Sequence, residues 1–528
     1  MKNQNKTHRF NLRNTFIFAN TLSSIGYLDI STILSMLFSI GYVTLLIMEG
    51  HFNDWQELVI EPYFMLRGLK NYTDIVTHHA PLLTEFLAII YRFFGTDIIV
   101  RKIILLIVST ITALLTFRAA CRLGDKRTGV YSILLFAFFW PFYGGTHFWF
   151  DSFLPMFYLF ALVLVIETNS AKWFVVAGIS MGISFLIKQT AGAVAFFIFI
   201  MLLVRQKGLI RRLQESVSFS AGVVVPILLM ALYYAFRGQL ADAYFWIWEY
   251  NASGIYLKLG KARPPIIQII RLAVIGTPII IFLIRALFSK TTRQIISWEY
   301  LLVLGMGFCA SFTIFPRWER FHVAPSIPFL VICLILSIKL FLASFNAPAC
   351  IRIKKVAKIV LTTWILTVFL DIGTLYPPML LNKIVPNFTQ YWPLRSYEPP
   401  VWVDDKFIRY LEDVPVIGNY LKNATNEYEK IFVFGWMGSN IYYQSDRLPA
   451  GRFYYHLPWF TSLPQFKKDL LIGFERDRPR YVIVLKKRFH GTPSLMDLGI
   501  HLNQIGYQRE IGLEMKFPEV EVWKLDDR

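Results

Sequence analysis

"HFNDWQELVIEPYFMLRGLKNYTDIVTHHAPLL", residues 51–83, sits between two strongly apolar stretches and carries Asp54, Glu57, Glu61, Asp74 and the pair His78–His79. A cluster of acids and histidines directly after a run such as "TILSMLFSIGYVTLLIM" needs a chemical reason. The run has the roughly 20 residues that a helix needs to cross a bilayer. It follows about 30 polar and basic residues and has no small-residue cleavage site, so it reads as a retained span and not as a signal peptide.

Outward from that stretch, the whole chain has membrane character. Of its 528 residues, 55% are hydrophobic, 16% aromatic and only 17% charged, too little charge to cover a soluble protein of this length. Apolar runs predict eleven spans: 31–49, 98–120, 128–146, 152–168, 173–187, 191–204, 216–236, 265–286, 298–315, 323–343 and 357–376. The net charge of +19 is that of basic loops on one membrane side, and does not indicate nucleic acid. Cys121, Cys309, Cys333 and Cys350 lie in or beside the spans, so no disulfide framework is implied.

The run "PLLTEFLAIIYRFFG" (81–95) decides the topology. It is short and contains Glu85 and Arg92. If it lies on the membrane surface, the N-terminus, "FRAACRLGDKR", "RQKGLIRR", "SKTTR" and "IRIKKVAK" all fall on one side. Loops 50–97, 147–151, 188–190, 237–264, 316–322 and everything after 376 fall on the other. Counting it as a span would reverse this sorting, so the positive-inside rule predicts an interfacial helix, a cytoplasmic N-terminus and an extracytoplasmic C-terminus.

The expected organisation is therefore a cytoplasmic segment 1–30, a membrane domain 31–376 with external loop 50–97, a Pro- and aromatic-rich linker 377–396, and an extracytoplasmic domain 397–528. In the last of these, "VDDKFIRYLEDV" and "LPQFKKDLLIGFERD" have helical periodicity, while "EKIFVFGW", "RYVIVLKK" and "EVEVWKL" read as strands. A small α/β or α+β fold is expected.

The external side collects the ionisable groups. Asp54 lies just past the first span, with Glu57 and Glu61 at helical spacing, although Pro62 is a candidate interruption. Asp151 opens a span in "GGTHFWFDSFLPMF", a costly place for a carboxylate unless it faces a cavity. One such acid reads as a solvated loop residue. Two on one side at similar depth suit a general base and its orienting partner. Lys188, Lys258, Lys261, Arg263, Arg317, Arg320 and His322 gather on the side where the positive-inside bias would not place them. Each alone could snorkel to headgroups; with His78 and His79 they suit a phosphate at the membrane surface. No Walker loop, dinucleotide glycine triplet, Asp-x-Asp, HExxH or paired CxxC is present. A donor activated on a lipid is the chemistry left to an enzyme working outside the cytoplasm.

These motifs resemble those of GT-C membrane glycosyltransferases: glycosyltransferase family 39, the protein O-mannosyltransferases and the lipid A aminoarabinose transferases. The resemblance is carried by Asp54, Gly68, Tyr72 with Asp74, His79 and Pro81-Leu82, then Asp151, then Gly178, Gly182 and Lys188, then Arg320 in "RFHVAPSIPFL", and by "KIFVFGWMGSNIYYQSDRLPAGRFYY". Two departures are Trp55 where relatives have a second acid, and His79-Ala80-Pro81 where others have Lys-Pro-Pro.

The resemblance implies a polytopic α-helical GT-C fold with interfacial helices in its first external loop. It also implies transfer of a sugar from a polyprenyl-phosphate donor to a glycan, lipid or protein acceptor, with inversion. Asp54 is the expected base, with Asp151 and Glu57 as the other catalytic candidates. Asp74, His78, His79, Lys188, Lys258, Lys261, Arg263, Arg317, Arg320 and His322 are the expected contacts of the substrate or its phosphate. A divalent metal, Mg or Mn, would take Asp54 and Asp151 as ligands, though no pattern demands one. The expected surroundings are the lipids of the cytoplasmic membrane. The competing reading is a transporter or flippase for a polyprenyl-linked sugar; charges kept near span ends and the absence of an internal repeat weigh against it.

Overall fold

The computed structural model describes residues 29–49, 52–255, 264, 266–314, 318–344, 405–435, 438–454, 456, 460, 463–485 and 495–526. The expected span 357–376, the linker 377–396, most of segment 1–30 and the first residues of 397–528 lie outside these, as do Lys258, Lys261, Arg263 and Arg317.

The elements in chain order are α1 (Ile30–Glu49), β1 (Asn53–Asp54), α2 (Glu57–Leu66), α3 (Leu82–Phe94), α4 (Ile98–Leu123), α5 (Lys126–Phe142), β2 (His147–Phe148) and α6 (Phe150–Glu167). They continue with α7 (Ala171–Ile187), α8 (Ala191–Leu203), α9 (Leu209–Phe236), α10 (Ile266–Phe288), α11 (Trp298–Ala310) and α12 (Ile327–Ala343). Each predicted span within the described residues is a helix. Six helices there are long and apolar enough to cross a membrane, and three shorter apolar ones lie among them. This is a polytopic helical membrane protein.

Among the described residues, the loops separated by charge lie at opposite ends of the bundle. At one end Lys126 pairs with Asp29 (3.1 Å), Arg118 with Glu167 (2.8 Å), Lys207 with Glu215 (2.6 Å) and Lys339 with Asp125 (2.8 Å). Asp125 also caps α5 by accepting from the Thr128 N–H. At the other end β1 and β2 pair in parallel, Asn53 opposite His147 and Asp54 opposite Phe148. The α3 helix belongs to this end. Its 13 residues reach about 20 Å, short of a bilayer core. Leu83, Leu87 and Tyr91 are buried, while Phe86, Ile89, Phe93 and Phe94 are exposed, the two-faced pattern of an interfacial helix.

Pro62 does not interrupt α2. A helical proline lacks the N–H that would bond the carbonyl four residues back. Here that carbonyl, of Leu58, accepts from the Tyr91 hydroxyl at 2.9 Å, so α3 supplies the missing donor. Asp54 stands outside this helix, in β1, and so does not share a helical face with Glu57 and Glu61.

The glycines of "AGISMGISFLIK" serve packing. A Cβ on Gly178 would strike the Phe219 carbonyl oxygen, one on Gly182 the Val223 carbonyl oxygen, and one on Gly222 the Val175 carbonyl oxygen. Backbones of α7 and α9 therefore lie in contact, and this sets where α7 delivers Lys188. Gly178→Val is expected to cost about 3 kcal/mol, the upper end for overpacking, because backbone and not a side chain would have to move. A thermal shift in detergent no different from wild type would refute the close crossing.

The C-terminal lobe comprises α13 (Asp405–Ala424), β3 (Ile431–Phe434), α14 (Ser439–Ser445), α15 (Pro464–Asp477), β4 (Tyr481–Leu485), α16 (Leu495–Gln504), β5 (Tyr507–Arg509) and β6 (Val520–Leu525). Its sheet runs β3-β4-β6-β5, with β3 and β4 parallel and the other pairs antiparallel. β3 and β4 are buried throughout and read as continuous apolar runs, as strands covered on both faces do. One hydrophobic core joins this lobe to the first loop: Val59, Ile60, Phe64, Tyr72 and Ile75 pack with Tyr442, Tyr454 and Phe460.

Candidate functional site

Asp54 is held at the bundle end where the lobe docks. Its Oδ2 accepts from the Arg101 guanidinium at 2.6 Å. Arg101 is buried at the start of α4, and its second arm donates to the Thr96 carbonyl. Asp54 keeps about a third of its side-chain surface open (31%), enough to meet a substrate. Aromatic rings wall this region. Trp55 lies 5.1 Å from Trp149 and 5.2 Å from Phe321, and His79 lies 5.2 Å from Trp149. The indole N–H groups of Trp55 and Trp149 are buried without a partner among the described residues.

Asp151 is fully buried and differently engaged. Lys188 Nζ donates to both its oxygens, at 2.8 and 2.7 Å, and His322 Nδ1 lies 2.9 Å from Oδ2. Chain separations of 37 and 171 residues are thus closed in one triad. A buried carboxylate needs such partners, since desolvation would otherwise cost several kcal/mol. Lys188 and His322, expected to meet a phosphate, both contact Asp151 here. The triad also separates Asp151 from Asp54, which has its own cation.

The histidine pair is buried too. The rings of His78 and His79 lie 4.1 Å apart, tilted by 39°, and His79 stacks on Phe150 at 4.2 Å. The His78 carbonyl accepts from Gln189 (3.0 Å) and Asn251 (2.9 Å). Burial, with Lys188 nearby, pushes the His78 pKa down to about 3. Burial and its cationic neighbours hold His79 well below the ordinary histidine range as well. Both are neutral at physiological pH. A pH-sensitive charge at His79 is therefore not what the geometry offers; a neutral ring can supply an N–H or a flat face.

Asp74 accepts from the Lys70 backbone N–H at 2.8 Å and closes a local turn in which Tyr72 takes a positive φ of 68°. It is a turn residue. Arg320 lies over the Phe142 ring at 5.3 Å, with no carboxylate partner among the described residues. Its charge stays available to an anion.

Glu57 and Glu61, one turn apart on α2, are both buried. Tyr454 donates to Glu61 Oε1 at 2.7 Å. Burial first, then the charge of Glu57, pushes the Glu61 pKa up to about 8. A folded-state pKa raised above the unfolded value near 4.5 means that the native state binds the extra proton between those pH values. The stabilisation is full below about 4.5 and is lost as pH rises through about 8. Unfolding temperature is expected to fall between pH 6 and 9, and Glu61→Gln to flatten that slope. An equal slope in the variant would remove Glu61 as its source.

Metal ligation fits poorly here. Among the described residues no three His, Cys, Asp or Glu side chains gather as a metal site. Asp54 and Asp151 are each taken by a different cation, so no step is routed through a metal.

Sequence reasoning missed Arg101, Gln56 and the Trp55–Trp149–Phe321 wall. A signal for Arg101 existed: "IVRK" places two cations at the start of a span on the side where the positive-inside bias would not place them.

Residues 78–234 match the family model for dolichyl-phosphate-mannose-protein mannosyltransferase. The chain resembles the structure of ArnT from Cupriavidus metallidurans bound to undecaprenyl phosphate, with TM-score 0.56 and 11% identity, over 96% of this chain and 98% of that one. The apo state of ArnT gives 0.55 and 12%, over 95% and 98%. A looser likeness, TM-score 0.47 and 13% identity over 86% of this chain and 69% of the other, is to the Archaeoglobus fulgidus oligosaccharyltransferase in its apo form. Comparison of the sequence with curated proteins gives no match. With a bundle of apolar helices, Asp54 held at the end where the C-terminal lobe packs and a family match over residues 78–234, the chain has the fold of the membrane glycosyltransferases of the GT-C superfamily.

Proposed function

We propose that the protein transfers a sugar from a polyprenyl-phosphate carrier to an acceptor hydroxyl on the extracytoplasmic face of the cytoplasmic membrane. The observation that carries this reading is the partly open Asp54, fixed by Arg101 on a strand paired to the loop before α6. It is the one sequence-expected acid near the aromatic wall that is neither sealed in nor committed to a turn.

Asp54 takes the acceptor hydroxyl proton as the oxygen attacks the anomeric carbon. The bond from that carbon to the phosphate oxygen breaks, and the polyprenyl phosphate leaves with the electron pair. A direct displacement inverts the anomeric centre. Arg320 is placed to stabilise the departing phosphate, where preorganised charge acts most strongly. His79, being neutral, contributes a hydrogen bond or a stacking face. The Asp151–Lys188–His322 triad ties together the start of α6, the end of α7 and the segment leading into α12. The resemblance in fold to ArnT, whose structure holds undecaprenyl phosphate, supports a lipid-phosphate donor. The charge sorting supports the orientation.

The test is donor consumption. Purified protein in nanodiscs would be incubated with undecaprenyl-phosphate mannose, glucose, galactose and aminoarabinose, with membrane extract as acceptor source, and the lipids followed by mass spectrometry. Consumption of one donor is the expected result. No consumption with any of them, together with flux of the lipid in vesicles, would replace catalysis by transport.

A further inference from the structure

The seven-residue helix α14 of the C-terminal lobe touches the Asp54 region at three points. At its start, Gln56 Oε1 accepts from both the backbone N–H of Ser439, at 3.1 Å, and its hydroxyl. One turn on, the Tyr443 hydroxyl meets Thr96 Oγ1 at 2.7 Å. Just past its end, Asp446 accepts from the Tyr63 hydroxyl at 2.6 Å and from the Arg67 guanidinium.

Two of these contacts bracket the Asp54–Arg101 pair. Gln56 follows Asp54 by two residues in the chain. Thr96, held by Tyr443, is the residue whose carbonyl receives Arg101. The strand side of the ion pair is thus tied to α14 through Ser439, and the cation side through Tyr443. Gln56 and Ser439 are buried, where a hydrogen bond gains strength and its loss leaves a polar group unsatisfied. Packing alone does not need these polar atoms. The Tyr443 ring meets Tyr63 at 5.3 Å, Phe64 meets Tyr442 at 5.7 Å, and rings of this kind would hold the lobe whether or not the hydroxyls were there.

We propose that Ser439 and Tyr443 are positioning residues for Asp54, so that the C-terminal lobe completes the site by registering both halves of the Asp54–Arg101 pair on one helix. The inference rests on Asp54 being the base. It goes further in assigning the lobe a part in the chemistry without any contact to substrate.

Ser439→Ala and Tyr443→Phe remove single polar atoms and keep the rings and the helix. Two readouts apply to the full-length protein in nanodiscs. Amide exchange over residues 52–56 is expected to quicken in Ser439→Ala, and over 96–101 in Tyr443→Phe. With the donor that the wild type consumes, kcat is expected to fall about 10- to 100-fold, with KM for that donor within about 2-fold, as for a displaced catalytic group. Tyr420→Phe, a hydroxyl deletion elsewhere in the lobe where Tyr420 faces Tyr481, is expected to change neither.

Unchanged exchange over both segments would overturn the pinning. Faster exchange with unaltered kcat would overturn its catalytic consequence, as would a rise confined to KM. A wild type that consumes no donor would overturn the functional reading and the positioning with it; exchange would still decide whether α14 pins the loop.

Discussion

Asp54→Asn is expected to lower donor consumption by at least about 10³-fold while leaving the fold intact. General-base catalysis contributes about 10²- to 10⁴-fold, and loss of a group used only in the transition state lowers kcat and kcat/KM together. The variant is informative because an amide oxygen can still accept from Arg101, so β1 keeps its partner and the pair keeps its shape. What disappears is the capacity to take a proton. Mass spectrometry of the lipid donor, with thermal unfolding measured on the same samples, reads both quantities. Activity within about 3-fold of wild type in a folded variant would remove Asp54 as base, since a proton acceptor cannot be replaced at so small a cost. Asp151→Asn makes the contrast. Because Asp151 is sealed in by Lys188 and His322, its loss is expected to act first on stability.

Lys188→Met is the second large effect, and it falls on folding. The side chain that replaces the ammonium is apolar and of similar length, but it leaves a fully buried carboxylate with His322 alone. Removing one partner of a buried ion pair costs about 3–5 kcal/mol, because the remaining charge stays desolvated. The double variant Asp151→Asn, Lys188→Met removes both charges and is expected to regain most of that loss. Unfolding temperatures of the single and double variants in one detergent make the comparison. Equal destabilisation would mean that the triad is not held by charge, and that the fit of α6, α7 and α12 depends on packing alone.

The bundle was legible because its signals are local. An apolar run of span length and a loop rich in Lys and Arg each occupy consecutive residues, so the spans from 31–49 to 323–343 coincide with helices α1 and α4 to α12. The same charge count put 81–95 on the surface, and α3 lies among the loops of that end. The three longer strands of the lobe were readable from their apolar runs; β5, with three residues, was too short to carry a pattern.

The candidate site was legible as a set of residues and not as a set of pairs. Asp54, Asp151, Lys188 and His322 stood out because ionisable groups at span ends are costly and therefore uncommon. Their partners depend on helix crossings that no local pattern encodes. The glycine contacts of α7 with α9 carry Lys188 to Asp151, and a parallel pairing of two residues brings Asp54 alongside the loop before α6. Burial is also a property of the assembled chain, and it removed His78 and His79 from the expected charged cluster and raised the Glu61 pKa to about 8.

Sequence alone determined that the chain is a membrane protein, which loops share a side, and which acids were worth testing, since hydropathy and charge act residue by residue. Only the tertiary structure decided which cation each acid holds, which groups stay neutral, and that the lobe shares a core with the loop bearing Asp54. Those outcomes follow from distance and desolvation, which arise only when segments far apart in the chain are packed together.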